Sequence, residues 1–122
     1  MEKLKDTFYI DIYDKTVNIG MCDDEDFLEQ WYYEITDNQH DSELFPAVAL
    51  TFYGDDGEYW ILYTIDDFDI NSCSHEIFHL THFLMNDINQ SFDLNNHETH
   101  AWLHGYLVDK IYIIVNNLIK NK

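Results

Sequence analysis

The chain has 122 residues, the size of a single domain, and 46% of them are hydrophobic, including 16% that are aromatic. This apolar content excludes a disordered chain, so we predict one folded domain over residues 1–122. Acidic residues number 24 against six lysines and no arginine, which gives a net charge of −18 at pH 7. Such a charge argues against direct nucleic-acid binding, because contacts with phosphates need cations. No apolar run is long enough to span a membrane, and we expect a cytoplasmic protein.

The sequence pattern of the N-terminal half of the chain predicts a sheet with one helix. Residues 4–19 alternate in places between apolar and polar side chains, which is typical of a strand or a hairpin. Residues 24–37 are predicted to form a helix, because large apolar side chains recur there at helical spacing and acidic residues crowd the first turn. Two strands are predicted at Ala47–Tyr53 and Glu58–Ile65, joined by the turn Gly54-Asp55-Asp56-Gly57.

The C-terminal half predicts two helices. The first runs from about Cys73 to Asp87, with Ser72 or Ser74 as its N-cap. The second spans roughly Asn96 to Lys120. Its predicted apolar face consists of Ala101, Gly105, Val108, Ile111, Tyr112, Val115, Leu118 and Ile119. This order of elements predicts an α+β domain with a small antiparallel or mixed sheet and a long C-terminal helix.

The residues His75-Glu76-Ile77-Phe78-His79 match the H-E-x-x-H pattern of zinc hydrolases. The two histidines are one helical turn apart, so both imidazoles project from the same face of the helix. Such imidazoles hold Zn²⁺, and a catalytic site keeps one coordination position open for water. Glu76 is close enough along the helix to act as the general base for that water. We therefore predict that His75 and His79 are zinc ligands and that Glu76 is catalytic.

A catalytic zinc site needs a third protein ligand, and the sequence offers several candidates. The metzincin extension of the motif fails, because position 82 is His instead of Gly and position 85 is Met instead of His. Glu98, nineteen positions after His79, suits the gluzincin arrangement, in which a glutamate of the following helix completes the site. His97, His100 and His104 are alternative third ligands, and a chain that holds no metal is the remaining alternative.

Three further residues lie close to the motif in the sequence or share its chemistry. Cys22 and Cys73 are too few for a disulfide framework, and we predict that both are reduced. Cys73, two residues before His75, is predicted to be a small buried side chain and not a ligand. His82, one turn beyond His79, is predicted to be structural, with a place beside the metal site as the alternative.

The residues that follow the motif resemble those of a known family. Small phage-encoded proteins of the minimal gluzincin type carry H-E-x-x-H followed, after a short loop, by E-x-x-A-[Y/W]-L-x-x-[Y/W]-[L/I]. At that place this chain has Glu98-Thr99-His100-Ala101-Trp102-Leu103-His104-Gly105-Tyr106-Leu107. The resemblance covers about residues 47–115. It implies a compact zincin-like fold, a zinc site of His75, His79 and Glu98, Glu76 as general base, and residence in the host cytoplasm.

The interpretation that follows is a zinc-dependent, peptidase-like hydrolase. An extended peptide substrate would pair with a strand edge, and Glu58–Ile65 is predicted to offer that edge. Tyr106, His100 and His104 are candidate donors to an oxyanion. The acidic charge of the chain favours a basic peptide or protein as the substrate.

Two other functions fit the same sequence. A small acidic protein can imitate the charge of DNA, or bind a basic host protein, without any catalysis. A closed zinc site could also stabilise the fold and carry no reaction. Binding that survives the loss of Glu76 would favour the first alternative, and unfolding on chelation would favour the second.

Overall fold

The computed structural model describes residues 3–37, 42–90, 95 and 97–121, which form a four-stranded sheet and three α-helices. The strands are β1 (Leu4–Ile10), β2 (Lys15–Cys22), β3 (Ala49–Tyr53) and β4 (Tyr59–Thr64). The helices are α1 (Glu25–Ile35), α2 (Ile70–Asp87) and α3 (His97–Lys120). The protein is therefore α+β, with a small mixed sheet and a long C-terminal helix, as predicted. Within this described part, none of the helices is both long and apolar enough to cross a membrane.

The strand order in the sheet is β1-β2-β4-β3. β1 and β2 form an antiparallel hairpin, which is one of the two alternatives predicted for residues 4–19. β2 and β4 are parallel, and β3 is antiparallel to β4. β4 therefore has neighbours on both sides, and the prediction that Glu58–Ile65 offers a free edge was wrong. Every residue of β4 is buried, and such a continuous apolar run is typical of a central strand. Among the described strands, the one at the edge of the sheet beside β4 is β3.

The two faces of the sheet carry separate apolar cores. α2 and α3 pack on one face, over side chains that include Val17, Ile19 and Ile61. α1 packs on the other face, over Leu62 and Trp60. The alternation of side chains along each strand explains the division, because neighbouring residues point to opposite faces.

The boundary of α2 differs from the prediction at its N-terminus. The helix begins at Ile70 and is capped by Asp69, whose carboxylate accepts from the backbone N–H of Ser72 at 2.7 Å. The Ser72 hydroxyl reaches back to the backbone N–H of Asp69, which completes a capping box. Neither Ser72 nor Ser74 is the N-cap, because Asp69 satisfies the first free N–H groups one turn earlier.

The apolar face of α3 was predicted only in part. The residues of this helix that are buried are His100, Leu103, Leu107, Ile111 and Val115. Ala101, Gly105 and Tyr112 are exposed, contrary to the prediction. Two apolar stripes are present on this helix, and the stripe that carries Leu103 and Leu107 is the one buried in the core beside the sheet. The predicted helix start at Asn96 lies outside the described residues.

Candidate metal centre

The H-E-x-x-H motif lies in α2. The packing of this helix buries some side chains of the motif and leaves others exposed. Ile77 and Leu80 are fully buried against the sheet. His75 and His79 are exposed on another side of the helix, as the one-turn spacing predicted. Glu76 is only 6% exposed, so its carboxylate lies between the open surface of the histidines and the core.

The two motif histidines converge on one point. Their Nε2 atoms are 3.1 Å apart, and their ring centroids are 4.7 Å apart. Two nitrogens bound to one tetrahedral Zn²⁺ at ~2.0–2.1 Å would be separated by about 3.3 Å. Oε2 of Glu76 is 3.9 Å from Nε2 of His75, so a carboxylate flanks the same point. The donor chemistry and spacing of this pair therefore fit half of a zinc site with an adjacent base.

Strand β3 holds the carboxylate of Glu76 in place. The hydroxyl of Thr51 donates to Oε1 of Glu76 at 2.7 Å and lies 3.1 Å from its backbone carbonyl oxygen. Thr51 pairs with Ile61 in the sheet, and its side chain faces α2. Sequence reasoning missed this contact. The sequence did contain one indication of it. Apart from Tyr53 at its end, Thr51 is the one residue of the predicted strand Ala47–Tyr53 that carries a polar group.

The structure does not bring Glu98 together with the histidine pair. Glu98 lies in the first turn of α3 and is exposed. Among residues 3–37, 42–90, 95 and 97–121, no three His, Cys, Asp or Glu side chains are grouped closely enough to hold a metal ion. The residue of that first turn that is buried is His100. The choice of third ligand between Glu98 and the histidines therefore remains a prediction.

Three of the other histidines form a cluster between α2 and α3. The rings of His82 and His100 have centroids 5.0 Å apart, and both contact Phe78. Nδ1 of His104 lies 3.3 Å from the hydroxyl of Thr81. Burial lowers the pKa of His100, and the neighbouring His82 and His104 lower it further. His100 is therefore a neutral imidazole at neutral pH, beside a surface pocket of about 360 Å³ that it shares with His104.

The remaining candidates lie away from the histidine pair or are inert. Cys73 is 4% exposed, which confirms the prediction of a buried side chain, and both Cys22 and Cys73 are free thiols. Burial raises the pKa of Cys22 to about 11, so its thiol is protonated at neutral pH. Tyr106, a candidate oxyanion donor, stacks on Trp102 with ring centroids 5.7 Å apart.

No protein-family model, curated protein or solved structure matches this chain. The resemblance to the minimal gluzincins stays a prediction.

Proposed function

We propose that the protein is a zinc-dependent, peptidase-like hydrolase of the zincin-like type. One observation carries the proposal. His75 and His79 present their Nε2 atoms 3.1 Å apart on an exposed face, and the buried Glu76 carboxylate lies 3.9 Å from one of them. Metal-assisted hydrolysis needs side chains that bind the metal ion and a nearby base, and two imidazoles beside a carboxylate can supply both.

In this proposal each residue has a separate role. His75 and His79 hold the ion, and Glu98 completes the ligand set. Because Glu98 is not grouped with the pair among the described residues, its carboxylate has to join them when the ion binds. When bound, zinc would supply a Lewis acid that polarises a carbonyl group and acidifies water. Glu76 would accept a proton from the attacking water and would pass it to the leaving group as the scissile bond breaks.

Thr51 is a positioning residue for Glu76. Its hydroxyl occupies one carboxylate oxygen, Oε1, and leaves Oε2 on the side of His75. The base is therefore held in one orientation before substrate arrives, which lowers the entropic cost of the reaction.

The substrate in this proposal is an extended peptide that pairs with β3. β3 is an edge strand, and it carries Thr51 directly beside Glu76. A peptide added to that edge would make backbone hydrogen bonds next to the catalytic carboxylate. The net charge of −18 favours peptides that carry lysine or arginine.

The test uses Glu76→Gln, which keeps the size of the side chain and an acceptor for Thr51. Zinc content would be measured by elemental mass spectrometry on tag-free protein after zinc loading. Turnover would be measured on quenched-fluorescent peptides, with lysine-rich and neutral sequences in parallel. We expect near-stoichiometric zinc in both forms and turnover that falls by a factor of about 10²–10⁴ in Glu76→Gln. The control is Glu34→Gln, an exposed residue of α1.

Three results would contradict the proposal. The first is a zinc content far below one equivalent after loading, since then no Lewis acid is present. The second is equal peptide cleavage by the wild type and Glu76→Gln, since then Glu76 is not the base. Equal loss of turnover in Glu34→Gln would point to a general effect of charge and would also count against the assignment.

A further inference from the structure

An exposed aromatic surface on α3 contains none of the residues proposed to hold zinc. We define the Trp102 patch as Tyr9, Ile12, Trp102, Gly105 and Tyr106. Tyr9, Ile12 and Trp102 are 50%, 68% and 56% exposed. Single exposed apolar residues are ordinary, but a contiguous group of this kind marks an interaction site.

The stacked rings of Trp102 and Tyr106 stand between two depressions of the surface. The two ring planes are inclined by only 12°, so the rings are stacked nearly parallel. One depression, of about 200 Å³, is bounded on its other side by Tyr9 and Ile12. The second, of about 630 Å³, runs along α3 past Gly105. In protein interfaces, Trp and Tyr side chains and the pockets beside them contribute most of the binding energy.

Gly105 opens the second depression. Glycine in the interior of a helix is less favourable than alanine. A Cβ atom added at Gly105 would meet no heavy atom within 4 Å in the described part of the chain. Packing within this part of the molecule therefore gives no reason for glycine here. The missing side chain leaves room for a partner to approach the backbone of α3 between Trp102 and Asp109.

The charge around the patch selects the kind of partner. Asp11 lines the first depression and Asp109 lines the second. The chain as a whole has a net charge of −18, although Lys110 lies 5.9 Å from the centre of a patch ring. A second copy of this chain or an anionic membrane would be repelled, whereas a cationic protein surface would be attracted.

We propose that the Trp102 patch binds a partner protein through a cationic amphipathic helix of that partner. Apolar side chains on one face of the helix fill the two depressions beside Trp102. Lysine or arginine residues flanking that face meet Asp11 and Asp109 at the rim. The closest approach of the two helices is at Gly105. The patch contains none of the residues proposed to hold zinc or to act as the base, although Glu98 lies one helical turn before Trp102.

The probe is a tryptophan-free leucine–lysine peptide of about 18 residues in amphipathic helical order. A peptide of identical composition in scrambled order has the same charge but no apolar face. Binding would be measured by titration calorimetry at about 0.15 M salt, where long-range charge effects are screened. The protein variants are Trp102→Ala, Gly105→Ala, and the remote control Val48→Ala. Gly105→Ala separates binding from folding, because its methyl group obstructs the closest approach of a partner to α3 while favouring the helix.

We expect the helical peptide to bind with 1:1 stoichiometry and at least tenfold more tightly than the scrambled peptide. Trp102→Ala should weaken binding at least tenfold, and Gly105→Ala severalfold with an unchanged or higher Tm. Val48→Ala should bind as the wild type does. Equal affinity for the two peptides, no binding by either, or binding insensitive to Trp102→Ala and Gly105→Ala would overturn the proposal. Self-association that Trp102→Ala abolishes would overturn it in favour of a second copy of the chain.

Discussion

The hydroxyl of Thr51 lies 2.7 Å from Oε1 of Glu76 and connects the edge strand of the sheet to the motif helix. The two residues are 25 positions apart in the sequence. Glu76 is 6% exposed, so the carboxylate needs this donor to offset the loss of hydration. The contact therefore explains how a carboxylate is kept beside an apolar core and next to His75.

Removing the Thr51 hydroxyl should destabilise the fold. Thr51→Val keeps the shape of the side chain but leaves Oε1 of Glu76 without this donor, at a cost of about 1–3 kcal/mol. Thr51→Ser keeps the hydroxyl and should cost less. Urea unfolding followed by circular dichroism would measure both. A Thr51→Val protein as stable as Thr51→Ser would show that the hydrogen bond contributes nothing to stability.

The third zinc ligand can be identified by variants that leave the histidine pair intact. If Glu98 completes the site, Glu98→Ala should weaken zinc binding by at least tenfold, and His100→Ala should leave it unchanged. His79→Ala, which removes one of the converging nitrogens, should abolish stoichiometric binding. Calorimetric titration with zinc would give each affinity. The reverse order, with loss only in His100→Ala, would transfer the ligand role to His100.

Features that depend on neighbouring residues were predictable from the sequence. The turn at Gly54–Gly57 forms as predicted, with a hydrogen bond from the Gly57 N–H to the Gly54 carbonyl and a positive φ at Gly57. The placement of His75 and His79 on one side of α2 also follows from helical spacing alone. These predictions succeed because turn chemistry and helical periodicity are local properties.

Features that depend on long-range pairing were not predictable. β3 and β4 have similar compositions, so the sequence did not show which of them is central. The contact between Thr51 and Glu76 depends on the same pairing, since it requires β3 to lie beside α2. On α3 two apolar stripes have comparable periodicity, and the packing against the sheet decides between them. The periodicity of a single sequence does not show which of the two stripes will pack against the sheet.

The observed N-cap of α2 gives a matched pair of variants. Asp69→Ala removes the carboxylate that accepts from the Ser72 N–H, and should destabilise the protein by about 1 kcal/mol. Ser74→Ala changes an exposed residue inside the helix and should be neutral or slightly stabilising. Thermal unfolding of both variants would measure the difference. Destabilisation by Ser74→Ala alone would restore the cap position predicted from the sequence.

Tyr53 should make stability depend on alkaline pH. Burial, followed by the hydrogen bond to Asp87 and its charge, raises the pKa of Tyr53 to about 12. The ordinary value is about 10, so between these two pH values the unfolded chain releases a proton that the folded chain keeps. This contribution to stability is complete below pH 10 and is lost as the pH rises towards 12. Between pH 10 and pH 12, Tyr53→Phe should therefore lose less stability than the wild type. Urea unfolding at a series of pH values would measure both losses. An identical loss in the two proteins would contradict the raised pKa of Tyr53.

Alanine at two glycines should have opposite effects, because their surroundings differ. A Cβ atom at Gly20 would lie 2.6 Å from both the Leu62 and the Trp31 side chains, so Gly20→Ala should force α1 from the sheet and cost about 1–3 kcal/mol. A Cβ atom at Gly105 meets open space, so Gly105→Ala should stabilise α3 by up to about 1 kcal/mol. Urea unfolding of the two variants in parallel would measure both effects with the same chemical change. If Gly105→Ala were destabilising as well, α3 would have a packing requirement at that position within the chain, and the case for a partner at Gly105 would be lost.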